Sequence, residues 1–194
     1  EADCNLISGE SMVRQLLHGK NFFKDEFGVE VDNLWLPDVF GYSAALPQIL
    51  KKSGVNFFLT QKLSWSQFNE FPHHTFNWKG IDGTEILTHF PPENTYNSEL
   101  DTEFLLPAQK GFKEKDRIDE FISLFGVGNG GGGPKPENVE LGRRMSNLES
   151  VPKVRFKGQG GLLDIEVHPD FINNNFLYIS FSDFLESNKN KSFT

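Results

Sequence analysis

The chain has 194 residues, enough for one domain of ordinary size with its own core. Its 19 Lys and Arg against 27 Asp and Glu give a net charge of −8, which excludes a general nucleic-acid binder. No run of about 18 apolar residues occurs, so nothing reads as a membrane-spanning helix, and Cys4, the only cysteine, excludes an internal disulfide and a cysteine-based zinc knuckle. The chain begins Glu-Ala-Asp without an initiator methionine, which reads as a fragment. Phenylalanine is abundant, at 20 residues, and several fall in loop-like contexts (Phe68, Phe71, Phe76, Phe90), as in a pocket-lined enzyme or a core of many short strands.

In chain order, Glu1 to Leu6 reads as a short strand feeding a loop. Ser8 or Ser11 then opens a helix carried by Met12, Leu16, Phe23 and Phe27 and ended near Gly28. Leu34-Trp35-Leu36 is an apolar run that Pro37 breaks, and Asp38 follows at once. Gly41 permits a tight turn, and Ser43 can cap a helix running to Lys52, stopped by Gly54. Val55 to Leu59 reads as the next strand. This alternation marks an α/β domain, layered or barrel-like. Phe76 to Trp78 and Thr84 to Phe90 then form a hairpin about an Asp82-Gly83 turn, ended by Pro91-Pro92. Glu93 to Asn97 reads as an exposed polar loop around Tyr96. Leu100 to Asp119 is charged and helical in pattern, interrupted by Pro107 and Gly111; Phe121 to Val127 returns to a buried strand. The glycine run Gly130 to Gly133 follows, then a helix from Pro136 through Arg144. After Ser150 the style changes. Leu163, Ile165 and Val167 alternate strictly with polar residues, and Phe176 to Phe181 forms a second strand beyond a turn from Pro169 to Asn175. An isolated hairpin of this kind is marginal in water, so it must pair or dock.

Asp38 sits where a strand gives way to a turn, the place at which α/β folds put their chemistry. A carboxylate beside Trp35, Phe40 and Tyr42 is a nucleophile, a metal ligand or a sugar-binding group; otherwise it caps the turn. Lys62 lies just past the next strand, and it reaches Asp38 or a substrate oxygen if both strand ends share a rim; otherwise it is a solvated lysine. Gly126-x-Gly128-x-x-Gly131 matches a dinucleotide fingerprint by spacing. Pro134 and Pro136 interrupt the join to the helix and the next strand, Lys153 to Phe156, lacks the acidic residue for a ribose, so a loop at a strand end is the better reading. His73 and His74 are adjacent and point to opposite faces of a strand, which argues against one shared metal ion. His18 lies on a polar helix face, and His89 faces a pocket at its strand end or packs.

The segments LWLPDVFGYSAALPQILKKSG, FFLTQKLSWSQFN, FPHHTFNWKGIDGTEILTHFPPENTYN and FGVGNGGGGP, in that order, resemble the catalytic domain of glycoside hydrolase family 38, its cytosolic-type α-mannosidases above all. The likeness runs over residues 1–154 and implies an irregular β/α barrel, present here incompletely, and a zinc-dependent, retaining exo-α-mannosidase acting on the α-mannosides of glycans or free oligosaccharides. Asp38 matches the family nucleophile, which is also a zinc ligand, and Phe40, Lys62, Tyr96 and Asn129 fall at sugar-contacting positions. Asn129 stands where relatives often carry an aspartate, and an amide cannot donate the catalytic proton, so the general acid is unassigned. The other zinc ligands expected by resemblance do not occur in the chain, which implies a fragment inactive alone. The tail, 155–194, resembles the first propeller blade of the glucose/sorbosone dehydrogenases, quinoproteins. That leaves two alternatives: a quinoprotein sugar dehydrogenase fragment, or a non-catalytic chimeric chain. The single cysteine and the cytosolic-type likeness point to the cytoplasm.

Overall fold

The computed structural model describes residues 3–128, 134–149, 151, 152, 154, 162–167 and 177–181. They form a mixed α/β structure of four α-helices and six strands. Local signals set the first helix. α1 (Gly9–Phe27) starts where the Ser8 side chain accepts the Ser11 N–H, and it ends at Gly28, whose φ of 67° closes the last turn through bonds to Lys24 and Phe23 carbonyls. Its buried residues Met12 and Leu16 face the core. The expected strand ahead of it is absent over residues 3–6: the Asp3 carboxylate accepts both the Asn5 and Leu6 N–H groups, which curls that segment into a turn.

β1 (Asn33–Trp35), β2 (Phe57–Leu59), β4 (Glu85–His89) and β3 (Thr75–Lys79) make one sheet in the order β1-β2-β4-β3. β1, β2 and β4 are mutually parallel, and β3 returns antiparallel on β4. The hairpin forms at the expected place, with Gly83 at φ 85° in its loop. Between β1 and β2 runs α2 (Leu46–Lys52), which starts later than Ser43 because Pro47 favours the first helical turn; Ser43 instead accepts the Ala45 N–H. Leu46, Leu50, Val55, Phe58 and Ile86 close the core between the sheet and the two helices. The opposite face is only partly covered. Leu59 is buried there, whereas Phe57 and its register partner Leu87 stand exposed.

α3 (Thr102–Gly111) is capped by the Asp101 carboxylate and contains Pro107. Phe121 to Val127 is not a strand. Its N–H and C=O groups go to side chains and loops: Ile122 N donates to His89 Nε2 at 3.2 Å, and Leu124 O accepts from Ser98 N at 2.9 Å. α4 (Pro136–Met145) starts at the expected proline. β5 (Leu162–Val167) and β6 (Leu177–Phe181) pair antiparallel in a separate two-stranded sheet, as their alternation suggests. The turn 169–175, His168 and the expected strand residues Lys153, Arg155 and Phe156 lie outside the described residues. No helix among the described residues is long and apolar enough to cross a membrane.

The histidines hold the 112–122 segment to the hairpin. His89 Nε2 accepts the Ile122 N–H, which leaves Nδ1 as the donor to Thr75 Oγ1 at 2.8 Å. His74 Nδ1 accepts the Lys113 N–H at 3.0 Å. Glu114 receives the His74 and Thr75 N–H groups, and His73. Burial, helped by nearby His74, pushes His89 down to about 4 from 6.5, and burial also lowers His74, against the pull of Glu114 and Glu70 and with Lys113 assisting. An unfolded chain titrates near 6.5, so below that pH the unfolded state holds more protons and the fold loses ground. His89 stability is full above about pH 6.5 and is lost as pH falls through about 4, a contribution of about 3 kcal/mol. Urea midpoints are expected to fall steeply over that window and much less steeply in His89→Gln; equal slopes would show that the ring is not held neutral.

Candidate active site

Because β1, β2 and β4 are parallel, their carboxyl ends lie along one edge of the sheet, and each continues into a loop there. Sheet bonding runs just past the strands: Leu36 N donates to Leu59 O at 3.0 Å and Thr60 N to His89 O at 3.2 Å. Asp38 leaves the end of β1, Lys62 the end of β2, and Tyr96 the loop after β4. They converge.

The Lys62 ammonium forms an ion pair with Asp38 Oδ1, and the lysine side chain is only 3% exposed while that of Asp38 is 35% exposed. Lys62 is therefore not the solvated lysine of the simpler reading. Its Nζ lies 3.5 Å from the Trp65 ring centroid, 4.7 Å from that of Phe40 and 5.8 Å from that of Tyr96. Three π faces and a carboxylate replace the water that a buried ammonium loses. One carboxylate oxygen is thereby held inward, while the carboxyl group as a whole stays open to the rim.

A hydrogen-bond relay fixes the two loops. Lys62 N donates to Thr60 Oγ1 at 3.3 Å, and Thr60 bonds the Tyr42 hydroxyl, which donates to Val39 O at 2.9 Å. Gln61 Nε2 adds a bond to Pro37 O at 3.3 Å. The main-chain groups on both sides of Asp38 are thus tied to the residues preceding Lys62. Tyr42, Thr60, Gln61 and Trp65 carry this arrangement; sequence reasoning set Tyr42 beside Asp38 and gave Thr60, Gln61 and Trp65 no role in it. The sole available signal was that Gln61-Lys62 follows a strand end as Asp38 does.

Phe40 is 78% exposed and meets Trp65 edge-on at 6.5 Å, so it stands on the rim. The loop of Tyr96 is half-buried, not the exposed segment its polarity suggests. Ser98 Oγ donates to Glu93 Oε1 at 2.8 Å, and Asn97 Oδ1 accepts the Gly128 N–H at 2.8 Å. Burial raises the Glu93 carboxyl above its ordinary value, and the Ser123 and Ser98 hydroxyls pull it partly back. Gly128 is required where it sits: a Cβ there would come within 2.2 Å of the Tyr96 ring. Through Tyr96 the residue before Asn129 is thereby linked to the Lys62 cage. Asn129 and 130–133 lie outside the described residues, and no strand precedes Gly126, so the dinucleotide fingerprint lacks the strand it requires.

Zinc needs about four ligands. Among the described residues no three His, Cys, Asp or Glu side chains gather into a metal-binding group, and Asp38 is engaged by Lys62. The described residues do not by themselves fit the zinc site that the resemblance implies. His73, His74 and His89 serve the hairpin instead, and His18 is exposed on α1.

Comparison with known proteins gives the same rim a context. The family model "Glycosyl hydrolases family 38 N-terminal domain" matches residues 1–164, and a second, "Glucose / Sorbosone dehydrogenase", matches the shorter stretch 137–193. Alpha-mannosidase 2C1 of Mus musculus is 48% identical over 84% of this chain and 16% of its own length. Alpha-mannosidase G of Dictyostelium discoideum is 47% identical over 80% of the chain and 14% of its own. The alpha-mannosidase of Saccharomyces cerevisiae is 44% identical over 80% and 15%. The chain thus spans about a sixth of the length of these curated relatives. With a family match over most of its length and identities near one half, the chain belongs to the family 38 glycosyl hydrolases, residues 1–164 matching their N-terminal domain.

Proposed function

We propose that the rim formed by Asp38, Lys62, Phe40 and Tyr96 is the nucleophile side of a retaining exo-α-mannosidase centre acting on α-mannosides of glycans or free oligosaccharides. One observation carries the reading: an open carboxylate at the carboxyl edge of a parallel sheet, fixed by a buried ammonium in an aromatic cage. It lies within the stretch that is nearly half identical to α-mannosidases.

Asp38 attacks the anomeric carbon as the bond to the leaving oxygen breaks, and a mannosyl ester forms on its carboxylate. Water then attacks the same carbon, the ester bond to Asp38 breaks, and mannose departs with its original configuration. Lys62, through its ion pair, holds the carboxylate turned for attack before the ester forms and again once water has released it. A second carboxyl group about 5 Å away protonates the leaving oxygen in such enzymes. The Asn129 amide cannot take that role, so the proton donor is a different group. Among the described residues, Asp38 is the one zinc ligand we assign.

The sheet with its crossing helix α2 supports placing these strands within an irregular β/α barrel, and the lone Cys4 supports a cytoplasmic protein. We further divide the chain into a mannosidase segment, 1–154, and a tail, 155–194. The match over 137–193 favours a second reading, a sugar dehydrogenase activity in the tail. Its described part beyond α4 is one strand pair, against four strands for a propeller blade, so we assign it no turnover. The test is stereochemical. Proton NMR of aryl α-mannoside hydrolysis is expected to show the α anomer of mannose first; the β anomer first would overturn the retaining mechanism.

A further inference from the structure

The loop that carries Tyr96 bears two costs that packing alone does not require. Among the described residues only Asn94 and Leu100 combine a side chain with a left-handed backbone, at φ 56° and 57°, and they bracket Tyr96. Asparagine tolerates that conformation. Leucine does not, and a leucine stays there only where its surroundings leave no alternative. The second cost is the Glu93 carboxyl at the head of the loop, which burial holds above its ordinary value. Strain and a buried carboxyl meet in one loop where placement matters more than stability.

Both costs converge on Ser98, which is 1% exposed. Its hydroxyl donates to Glu93 Oε1 at 2.8 Å, and the same oxygen accepts the Leu100 N–H at 3.1 Å. A hydroxyl has one proton to give. With that proton committed to Glu93, the lone pairs of Ser98 Oγ turn to Leu100 and hold its amide where the positive φ puts it. Ser98 N also donates to Leu124 O at 2.9 Å, and Glu99 Oε2 takes the buried Asn138 amide at 2.8 Å. Tyr96 lies inside this stretch, so the path of the chain from 94 to 100 decides where its ring stands. That ring lies 5.8 Å from Lys62 Nζ on one side and closes on Gly128 on the other.

We infer that Glu93 is a positioning residue: through Ser98 it holds residues 94–100 in the strained path that sets the Tyr96 ring against the Lys62 cage and Gly128. Glu93 makes no hydrogen bond or ion pair with Asp38 or Lys62; it acts through Ser98. The inference deepens the mannosidase reading, in which Tyr96 meets the sugar. What Ser98 needs from position 93 is an acceptor oxygen, so glutamine should serve there and alanine should not.

The test is amide hydrogen exchange by NMR on this full chain, with methyl α-mannoside titrated into the same samples. In Glu93→Ala the Ser98 and Gly128 amides should exchange about tenfold faster and the Tyr96 ring resonances should move, while the amides of β2 and β4 keep their parent rates. Methyl α-mannoside should bind about tenfold more weakly. Glu93→Gln should restore every one of these readings. Ser98→Ala should reproduce Glu93→Ala, and it carries the test if that variant does not fold. Parent exchange rates at Ser98 and Gly128 in Glu93→Ala, faster exchange spread evenly over the sheet, or a glutamine variant as disturbed as the alanine one would each overturn the role. So would parent affinity for the mannoside in a variant whose loop has opened. If the parent binds no methyl α-mannoside while Glu93→Ala frees the Ser98 and Gly128 amides, the clamp on Tyr96 stands and the mannosidase reading of the rim falls.

Discussion

Asp38→Asn is expected to lower aryl α-mannoside turnover by about 10⁴-fold or more, because a neutral amide cannot form the glycosyl ester. Whatever rate the parent shows, the variant should show essentially none of it. The substitution keeps the shape of the side chain but leaves the Lys62 ammonium without its counter-charge, so circular dichroism must first show that the variant is folded. Chemical rescue separates lost chemistry from lost structure. With Asp38→Gly, added azide should enter the vacated space, attack the anomeric carbon and release a β-mannosyl azide detectable by mass spectrometry. If Asp38→Asn retains most of the turnover, Asp38 is not the nucleophile.

Lys62→Ala carries the largest expected effect on stability, a loss of about 3 kcal/mol, read from the urea midpoint. Two contributions add. The variant breaks an ion pair whose cationic partner is buried, and it opens a void among the Phe40, Trp65 and Tyr96 rings. Asp38 is partly exposed, so its unpaired charge recovers hydration, which keeps the loss below the top of the range for buried pairs. Lys62→Met fills the void without a charge and is expected to cost about 1 kcal/mol. A loss of under about 0.5 kcal/mol for Lys62→Ala would instead mark an ordinary surface pair.

What the sequence disclosed follows from the range of each interaction. α1 was readable because Ser8, the apolar spacing and Gly28 are local signals. The β3–β4 hairpin was readable from Asp82-Gly83 for the same reason. Asp38 was readable as a strand-end carboxylate because Pro37 stops the apolar run beside it. The burial of Lys62 was not, since the rings around it come from three separate loops. Phe121 to Val127 misled because apolar runs signal burial rather than pairing; its bonding partners are a histidine ring and a loop N–H. The late start of α2 came from Pro47, whose ring suits the opening turn of a helix better than its middle.

The position of Trp65 directly over the Lys62 ammonium has an optical consequence. Lys62 and Trp65 lie three residues apart in one turn, and the Asp38 carboxylate that pairs the ammonium fixes the indole against that charge in the folded rim. The excited state of Trp65 therefore senses a cation in the assembled rim and water otherwise. Trp35 and Trp78 sit at the sheet, so Phe substitutions there would leave one emitter. The molecule carries its own lamp at the place where sugar is expected to arrive.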